Sequence, residues 1–324
     1  MILAADIGGT NARLGLFELD GGRLRLAAAE TYPSREHASL DDIVRLFVAT
    51  HPKPIERACL AVAGPVTERR VVATNLAWIV DAERLAGVLG LDTIGLINDL
   101  EAIALGLDEL APSDIVLLHS GRAGAEGNRA IIAAGTGLGE AGAYWDGRTH
   151  HPFASEGGHA DFGPRSQLEV DLLGFLLAKY DRVSYERVLS GPGLAEIYRF
   201  LRDFGHGVEP PWLTKELADE PAPIVIVRAA VDGRSELCQG AVSLFASVYG
   251  AEAGNLALKL MARGGVWIAG GIAPRLLPWM KAPGFLDAFL AKGRMRSLVE
   301  AMPVRLITND RAGLLGAGRW AIRN

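Results

Sequence analysis

Apolar residues along this chain fall into short runs, and most runs stop at a glycine or a polar pair. Residues 2–5 lead into Asp6-Ile7-Gly8-Gly9-Thr10-Asn11, and residues 13–17 resume the apolar pattern, which predicts strand, turn and strand. Residues 24–30 add a third strand. Within 40–49, Leu40, Ile43, Val44, Phe47 and Val48 share one helical face. A buried strand over 58–63 ends at Gly64-Pro65, a short helix covers 82–89, and another buried strand over 93–97 ends at Asn98-Asp99. Alternation of this kind predicts a mainly parallel sheet with helices packed on it.

The opening pattern then returns. Ile131-Ile132-Ala133-Ala134-Gly135-Thr136-Gly137-Leu138-Gly139-Glu140 repeats the shape of residues 2–11, with a second apolar stretch over 141–145. Glycine lets a backbone turn sharply and approach a ligand closely, so its N–H groups can face phosphate oxygens. Two such hairpins imply two related halves facing one nucleotide. Between them, residues 121–128 read as a Gly/Ala/Asn-rich boundary or exposed loop. Later come helical segments over 168–180, 193–204 and 224–260, a buried strand over 266–269, a last strand over 304–308 and a closing helix over 312–322. The chain is expected to return to its first domain near the C-terminus.

Composition narrows the function classes. A length of 324 residues fits about two domains on the usual prior of roughly 100–200 residues each. With 49% hydrophobic and 22% charged residues the chain can build ordinary cores. A net charge of −5 argues against nonspecific binding to nucleic acid or to an anionic membrane. Cys59 and Cys238 are the only cysteines and lack metal-ligand spacing, as expected of a reduced, cytoplasmic protein. Residues 2–5 are too short for a signal peptide, and no apolar run approaches the ~20 residues that span a bilayer.

Several residues carry candidate chemistry. Gly137-Leu138-Gly139-Glu140-Ala141-Gly142 matches G-x-G-x-x-G, but that fingerprint requires a following helix, and Ala143-Tyr144-Trp145-Asp146-Gly147 reads as strand and turn. No P-loop pattern occurs. Asp6 at a strand end beside Gly8-Gly9-Thr10 would repel phosphates unless Mg²⁺ lies between them; the alternative is a turn cap. Thr10, Asn11 and Arg13 supply donors nearby. Asp99, at the carboxyl end of a predicted parallel strand, can accept the proton of an attacking hydroxyl or cap a helix starting at Glu101. Glu156-Gly157-Gly158-His159 reads as a loop suited to hydrogen-bonding a polyhydroxylated substrate rather than a metal, and Glu186 can add an acceptor. Gly270-Gly271 after the 266–269 strand suits the flat face of an adenine.

Taken in order, these segments resemble the bacterial glucokinase family of ATP-dependent hexose kinases, the type without the ROK cysteine motif. Asp6-Ile7-Gly8-Gly9-Thr10-Asn11-Ala12-Arg13 and Ala134-Gly135-Thr136-Gly137-Leu138-Gly139 resemble its two phosphate motifs, and Leu96-Ile97-Asn98-Asp99-Leu100-Glu101-Ala102 the segment bearing the catalytic Asp. Ser155-Glu156-Gly157-Gly158-His159-Ala160-Asp161-Phe162 and Tyr185-Glu186-Arg187-Val188-Leu189-Ser190-Gly191 resemble the glucose-contacting segments, and Gly270-Gly271-Ile272 the adenosine motif. The similarity runs from about residue 3 to about residue 320.

The resemblance implies an actin-like ATPase (ribonuclease H-like) α/β fold, with two α/β domains around a deep cleft: residues 1–110 plus about 301–324, and residues 111–300. It further implies a cytoplasmic homodimer, with ATP and Mg²⁺, that phosphorylates glucose at the 6-hydroxyl. Asp99 would be the general base, and Asn98, Asp99, Glu156, His159 and Glu186 would hold the sugar. Asp6, Gly8, Gly9, Thr10, Asn11, Gly135, Thr136, Gly137, Gly270 and Gly271 would hold the nucleotide, Asp6 reaching Mg²⁺ through water. ROK kinases follow their E-x-x-H with a zinc-binding cysteine trio; this chain has no cysteine there, so no structural zinc is expected. Competing readings are a kinase for another hexose or an N-acetylhexosamine, an actin-like assembly protein, and a sugar-responsive repressor. The last would carry an N-terminal helix-turn-helix, where this chain shows a strand.

Overall fold

The computed structural model describes residues 1–73 and 76–323. The N-terminal strands are β1 (Ile2–Ile7), β2 (Asn11–Asp20), β3 (Arg23–Pro33) and β4 (Arg57–Val62); after a small ribbon of β5 (Arg70–Val72) and β6 (Ile79–Asp81) comes β7 (Gly95–Asn98). The first sheet has the order β3-β2-β1-β4-β7, antiparallel through β3, β2 and β1 and parallel from β1 through β4 to β7. Period two sorts its side chains. Leu3, Ala5 and Ile7, with Leu60 and Val62, meet α1 (Leu40–Thr50) and α2 (Ala82–Leu89). Ala4, Cys59 and Ala61 meet α3 (Asp99–Gly106) and the C-terminal helix Ala312–Arg323 on the other face. These last two helices touch backbone to backbone: a side-chain carbon at Gly316 would run into the Ala102 carbonyl, and one at Gly106 into that of Ala312.

The second sheet repeats this plan. Its strands are β8 (Ile115–His119), β9 (Arg129–Ala134), β10 (Leu138–Trp145), β11 (His150–Ser155), β12 (Gly265–Ala269) and β13 (Val304–Ile307), in the order β11-β10-β9-β12-β13-β8. β12 is parallel to both β9 and β13. Without β8, the order matches the first sheet position for position, with the β9–β10 turn standing where the β1–β2 turn stands. The helices of this half are α4 (Gln167–Leu177), α5 (Gly191–Asp203), α6 (Pro211–Asp219), α7 (Ala222–Val231), α8 (Glu236–Leu260), α9 (Leu277–Lys281), α10 (Pro283–Leu290) and α11 (Arg296–Glu300). Ile132, Ala134, Val266 and Ile268 bury one sheet face in a core with Phe245 and Tyr249 of α8 and Phe285 of α10.

One expected element divides. The helical segment over 224–260 is two helices, because Gly233 takes a left-handed φ of 68° and Ser235 then caps α8 by accepting the Cys238 N–H at 3.2 Å. Residues 121–128 form the loop between β8 and β9.

Two compact units emerge. One comprises Met1–Ile115, Ala141–Ala154 and the chain from Asn309 onward; the other comprises Val116–Glu140 and Ser155–Thr308. These limits differ from 1–110 plus 301–324 because β13 pairs with β12 and stays in the second unit, while 141–154 joins the first.

Candidate active site

In the first unit the candidate residues gather at the carboxyl ends of β1, β4 and β7, the edge where open α/β sheets place ligands. The Gly8 N–H closes the β1–β2 turn on the Asn11 carbonyl at 2.9 Å, and Ser34 Oγ braces it from below by donating to the Gly8 carbonyl at 3.0 Å. Thr10 is left exposed at the tip, between the partly exposed Gly9 and Asn11. Asp6 faces the first turn of the C-terminal helix, where a side-chain carbon at Gly313 would lie only 3.0 Å from its carboxyl. Burial raises its pKa to about 6, Arg13 working against the shift and Asp310 adding to it. Arg13 Nη1 lies 3.9 Å from Asp6 and Nη2 3.4 Å from Asp310.

Asn98, rather than Asp99, caps α3. Its Oδ1 accepts the N–H groups of Leu100 (2.9 Å) and Glu101 (3.4 Å), and Glu101 returns the bond by accepting the Asn98 N–H at 3.2 Å. Asn98 Nδ2 donates to the Gly64 carbonyl at 3.2 Å, tying the end of β7 to the end of β4. Asp99 therefore begins the helix, half-buried, with Oδ1 accepting the Leu100 N–H at 3.0 Å. The competing reading of Asp99 as the cap is displaced by one residue.

In the second unit the turn at 135–137 is built like its counterpart. The Gly135 N–H donates to the Gly137 carbonyl at 2.8 Å, the Gly135 carbonyl accepts the Gly191 N–H from the start of α5 at 2.8 Å, and Thr136 is exposed. At Gly8 and Gly135, then, the amide serves the turn, and what remains for a ligand is the absence of a side chain: a carbon added at Gly135 meets no protein atom within 4 Å. Gly270, at a φ of 84°, rests directly on the Ala134 backbone, which places the adenosine-type turn beside the phosphate-type turn. Beneath both lies Tyr249 of α8, fully buried, whose Oη accepts the Ala134 N–H at 3.1 Å and reaches the Ile132 carbonyl at 3.3 Å.

The sugar-type residues also lie in this unit. Glu156 and His159 are exposed on a single 3-10 turn, with His159 Nε2 3.9 Å from Glu156 Oε2. The paired glycines between them are needed for packing, since side chains at Gly157 and Gly158 would strike Glu140 and the Leu138 carbonyl of β10. Arg182 donates to the His159 carbonyl (2.7 Å) and to Asp161 (2.8 Å), and the Tyr185 N–H donates to the Ala160 carbonyl (2.9 Å). This zipper delivers Glu186, which accepts the Leu138 N–H at 3.0 Å and lies against Gly137. Tyr249, Arg182 and Glu140 join the site without being among the candidate residues that its sequence motifs supply. Only Glu140 left a trace in the sequence, as the one acid in the otherwise apolar run of β10.

Two sheets of one strand order, each opening on a glycine turn, define the actin-like ATPase fold as sugar kinases use it. The family model for glucokinases matches residues 3–324. A glucokinase of Trichormus variabilis is 44% identical over all of this chain and 99% of its own length. The crystal structure of a glucokinase from an Antarctic psychrotroph superposes with a TM-score of 0.85 at 32% identity, covering 100% of this chain and 99% of that one. A ROK family glucokinase from Streptomyces griseus, solved with glucose and AMPPNP, shares the fold at a TM-score of 0.67 and 20% identity, covering 100% and 99%. The chain belongs to the glucokinase family.

Proposed function

We propose that this protein transfers the γ-phosphoryl group of ATP to the 6-hydroxyl of D-glucose, giving glucose 6-phosphate and ADP, the entry step of glycolysis. The observation that carries the reading is the shared edge. Asp6 and the Gly8 turn stand at the carboxyl end of β1 and Asp99 at the carboxyl end of β7, with β4 between these parallel strands of one sheet, and the Gly135 and Gly270 turns stand at the carboxyl ends of β9 and β12 in the other.

Asp99 orients the 6-hydroxyl and takes its proton as the oxygen bonds to phosphorus and the bond to ADP breaks. Asn98, Glu156, His159 and Glu186 hold the remaining hydroxyls, the carboxylates as acceptors. The turns at Gly8, Gly9, Thr10 and Asn11 and at Gly135, Thr136 and Gly137 cradle the phosphates, while Gly270 and Gly271 pass under the base. Positioning and electrostatics supply most of the acceleration.

Asp6 fits a hydrated Mg²⁺: its carboxyl is mostly out of solvent, and its cationic neighbour Arg13 approaches no closer than 3.9 Å. When bound with ATP, Mg²⁺ neutralises phosphate charge. Among the described residues no helix is long and apolar enough to cross a membrane. As a separate part of the proposal, the enzyme is a cytoplasmic homodimer.

A coupled ADP-release assay across glucose, other hexoses, N-acetylhexosamines and several phosphoryl donors tests the assignment. Glucose-dependent ADP release with ATP is expected. Preference for an acetamido sugar would move the substrate, and sugar-independent turnover would favour an assembly ATPase.

A further inference from the structure

Glu140 is 1% exposed, and neither of its carboxyl oxygens has a hydrogen-bond donor among the described residues. It projects from β10 beneath Gly157, on the underside of the Glu156–His159 turn. Its carboxyl faces that of Glu252, a fully buried acid of α8. As two carboxylates this pair would hold only acceptors in a water-excluded space, an arrangement that costs more than a shared proton.

The surroundings decide which oxygen carries the proton. Glu252 accepts from Asn255 Nδ2 at 2.8 Å and Lys259 Nζ at 3.3 Å, so its oxygens already have donors. Asn255 also donates to Tyr185 Oη at 3.0 Å, and Lys292 Nζ donates to Asn255 Oδ1 at 2.6 Å. The Tyr249 hydroxyl also lies within electrostatic reach of Glu140, and Arg165, held by Glu169, acts on Tyr185 and Lys292 beside the pair. Glu140 receives nothing comparable. Burial, and then the charge of Glu252, push its pKa up, with Lys259 opposing.

We propose that Glu140 is a neutral carboxylic acid whose proton is donated to Glu252, and that this pair is a positioning device for the sugar-binding side chains. From Glu252 one arm runs through Glu140 to the floor of the Glu156–His159 turn. The other runs to Tyr185, the residue next to Glu186. Loss of the proton places two anions against each other and lifts the floor away from Gly157. This extends the reading of Glu156, His159 and Glu186 as sugar ligands and rests on it.

The test has a part that needs no substrate. Infrared difference spectra of the unliganded protein, titrated through neutral and alkaline pH, should show the carbonyl stretch of a protonated carboxylic acid disappearing as pH rises. That band should be absent in Glu140→Gln. In steady-state kinetics the parent's glucose KM should climb by about tenfold at alkaline pH with ATP KM unchanged. Glu140→Gln, which keeps a donor to Glu252, should hold the neutral-pH KM without the climb, and Glu140→Ala should show the raised KM at every pH. A parent without the acid band, or Gln and Ala variants that raise glucose KM alike, would overturn the proposal. An acid band in a parent that does not turn over glucose would leave the proton on Glu140 and remove the sugar reading instead.

Discussion

The Glu186 carboxylate accepts the Leu138 N–H at 3.0 Å and lies against Gly137, so a proposed sugar ligand also supports the turn proposed to hold phosphate. Such a charge-assisted bond contributes about 1.5–3 kcal/mol. Glu186→Gln should therefore raise KM for both glucose and ATP. Glu156→Gln or His159→Ala, on an exposed turn without that second contact, should raise glucose KM far more than ATP KM. Steady-state kinetics with each substrate varied in turn checks the contrast; equal effects in all three variants would remove the double role of Glu186.

Asp99 opens α3 while Asn98 does the capping, which separates chemistry from helix stability. Asp99→Asn should keep glucose binding and melting temperature while kcat falls by roughly 10²–10⁴, the range for lost acid–base help. Asn98→Ala should instead lose about 1 kcal/mol of stability with its cap and, as a proposed sugar ligand, raise glucose KM. Glucose titration by tryptophan fluorescence, alongside turnover, reads both; near-normal turnover in Asp99→Asn would reassign the base.

The strand pattern and glycine turns were legible in the sequence because each apolar run ended at a residue with a local conformational reason to end there. The helix over 224–260 divides because the apolar pattern lapses over Asp232-Gly233-Arg234-Ser235 and resumes at Leu237, and the stop and cap chemistry of Gly233 and Ser235 makes that lapse a break rather than a polar turn of one helix. Motif residues such as Asp6, Asp99 and Glu156 stood out by type and spacing. Tyr249 and Arg182 did not, since each acts on backbone groups more than twenty residues away, and no local pattern encodes such a partner.

Tyr249 joins the ends of β9 and β12 just where they lead into the Gly135 and Gly270 turns. Tyr249→Phe keeps the ring and removes the acceptor for the Ala134 N–H, at a cost of about 1–3 kcal/mol for a buried donor left unpaired. ATP KM should rise several-fold with glucose KM little changed. A stability loss without any change in ATP KM would make the hydroxyl purely structural.

The C-terminal helix packs on α3 through Gly316 and Gly106, where neither backbone can yield to a side chain. Gly316→Ala should lower unfolding free energy by about 1–3 kcal/mol, as overpacking does. Urea denaturation measures it; an unchanged midpoint would show that the helix shifts freely.

Metal dependence separates two kinds of ion. Asp6 is the acid proposed to reach Mg²⁺ beside the first phosphate turn, so chelation should halt ADP formation and excess Mg²⁺ should restore it, with the nucleotide-free melting temperature unmoved. Asp6→Asn should raise the Mg²⁺ requirement. Zinc is different. The segment following His159 is fastened by Arg182, by the Tyr185 N–H and by the bond between the Phe162 N–H and the Val183 carbonyl at 3.0 Å. The only two cysteines, Cys59 and Cys238, lie buried in separate units. Elemental analysis of the purified protein should find no stoichiometric zinc, and one zinc per chain would show that this protein-only fastening is insufficient.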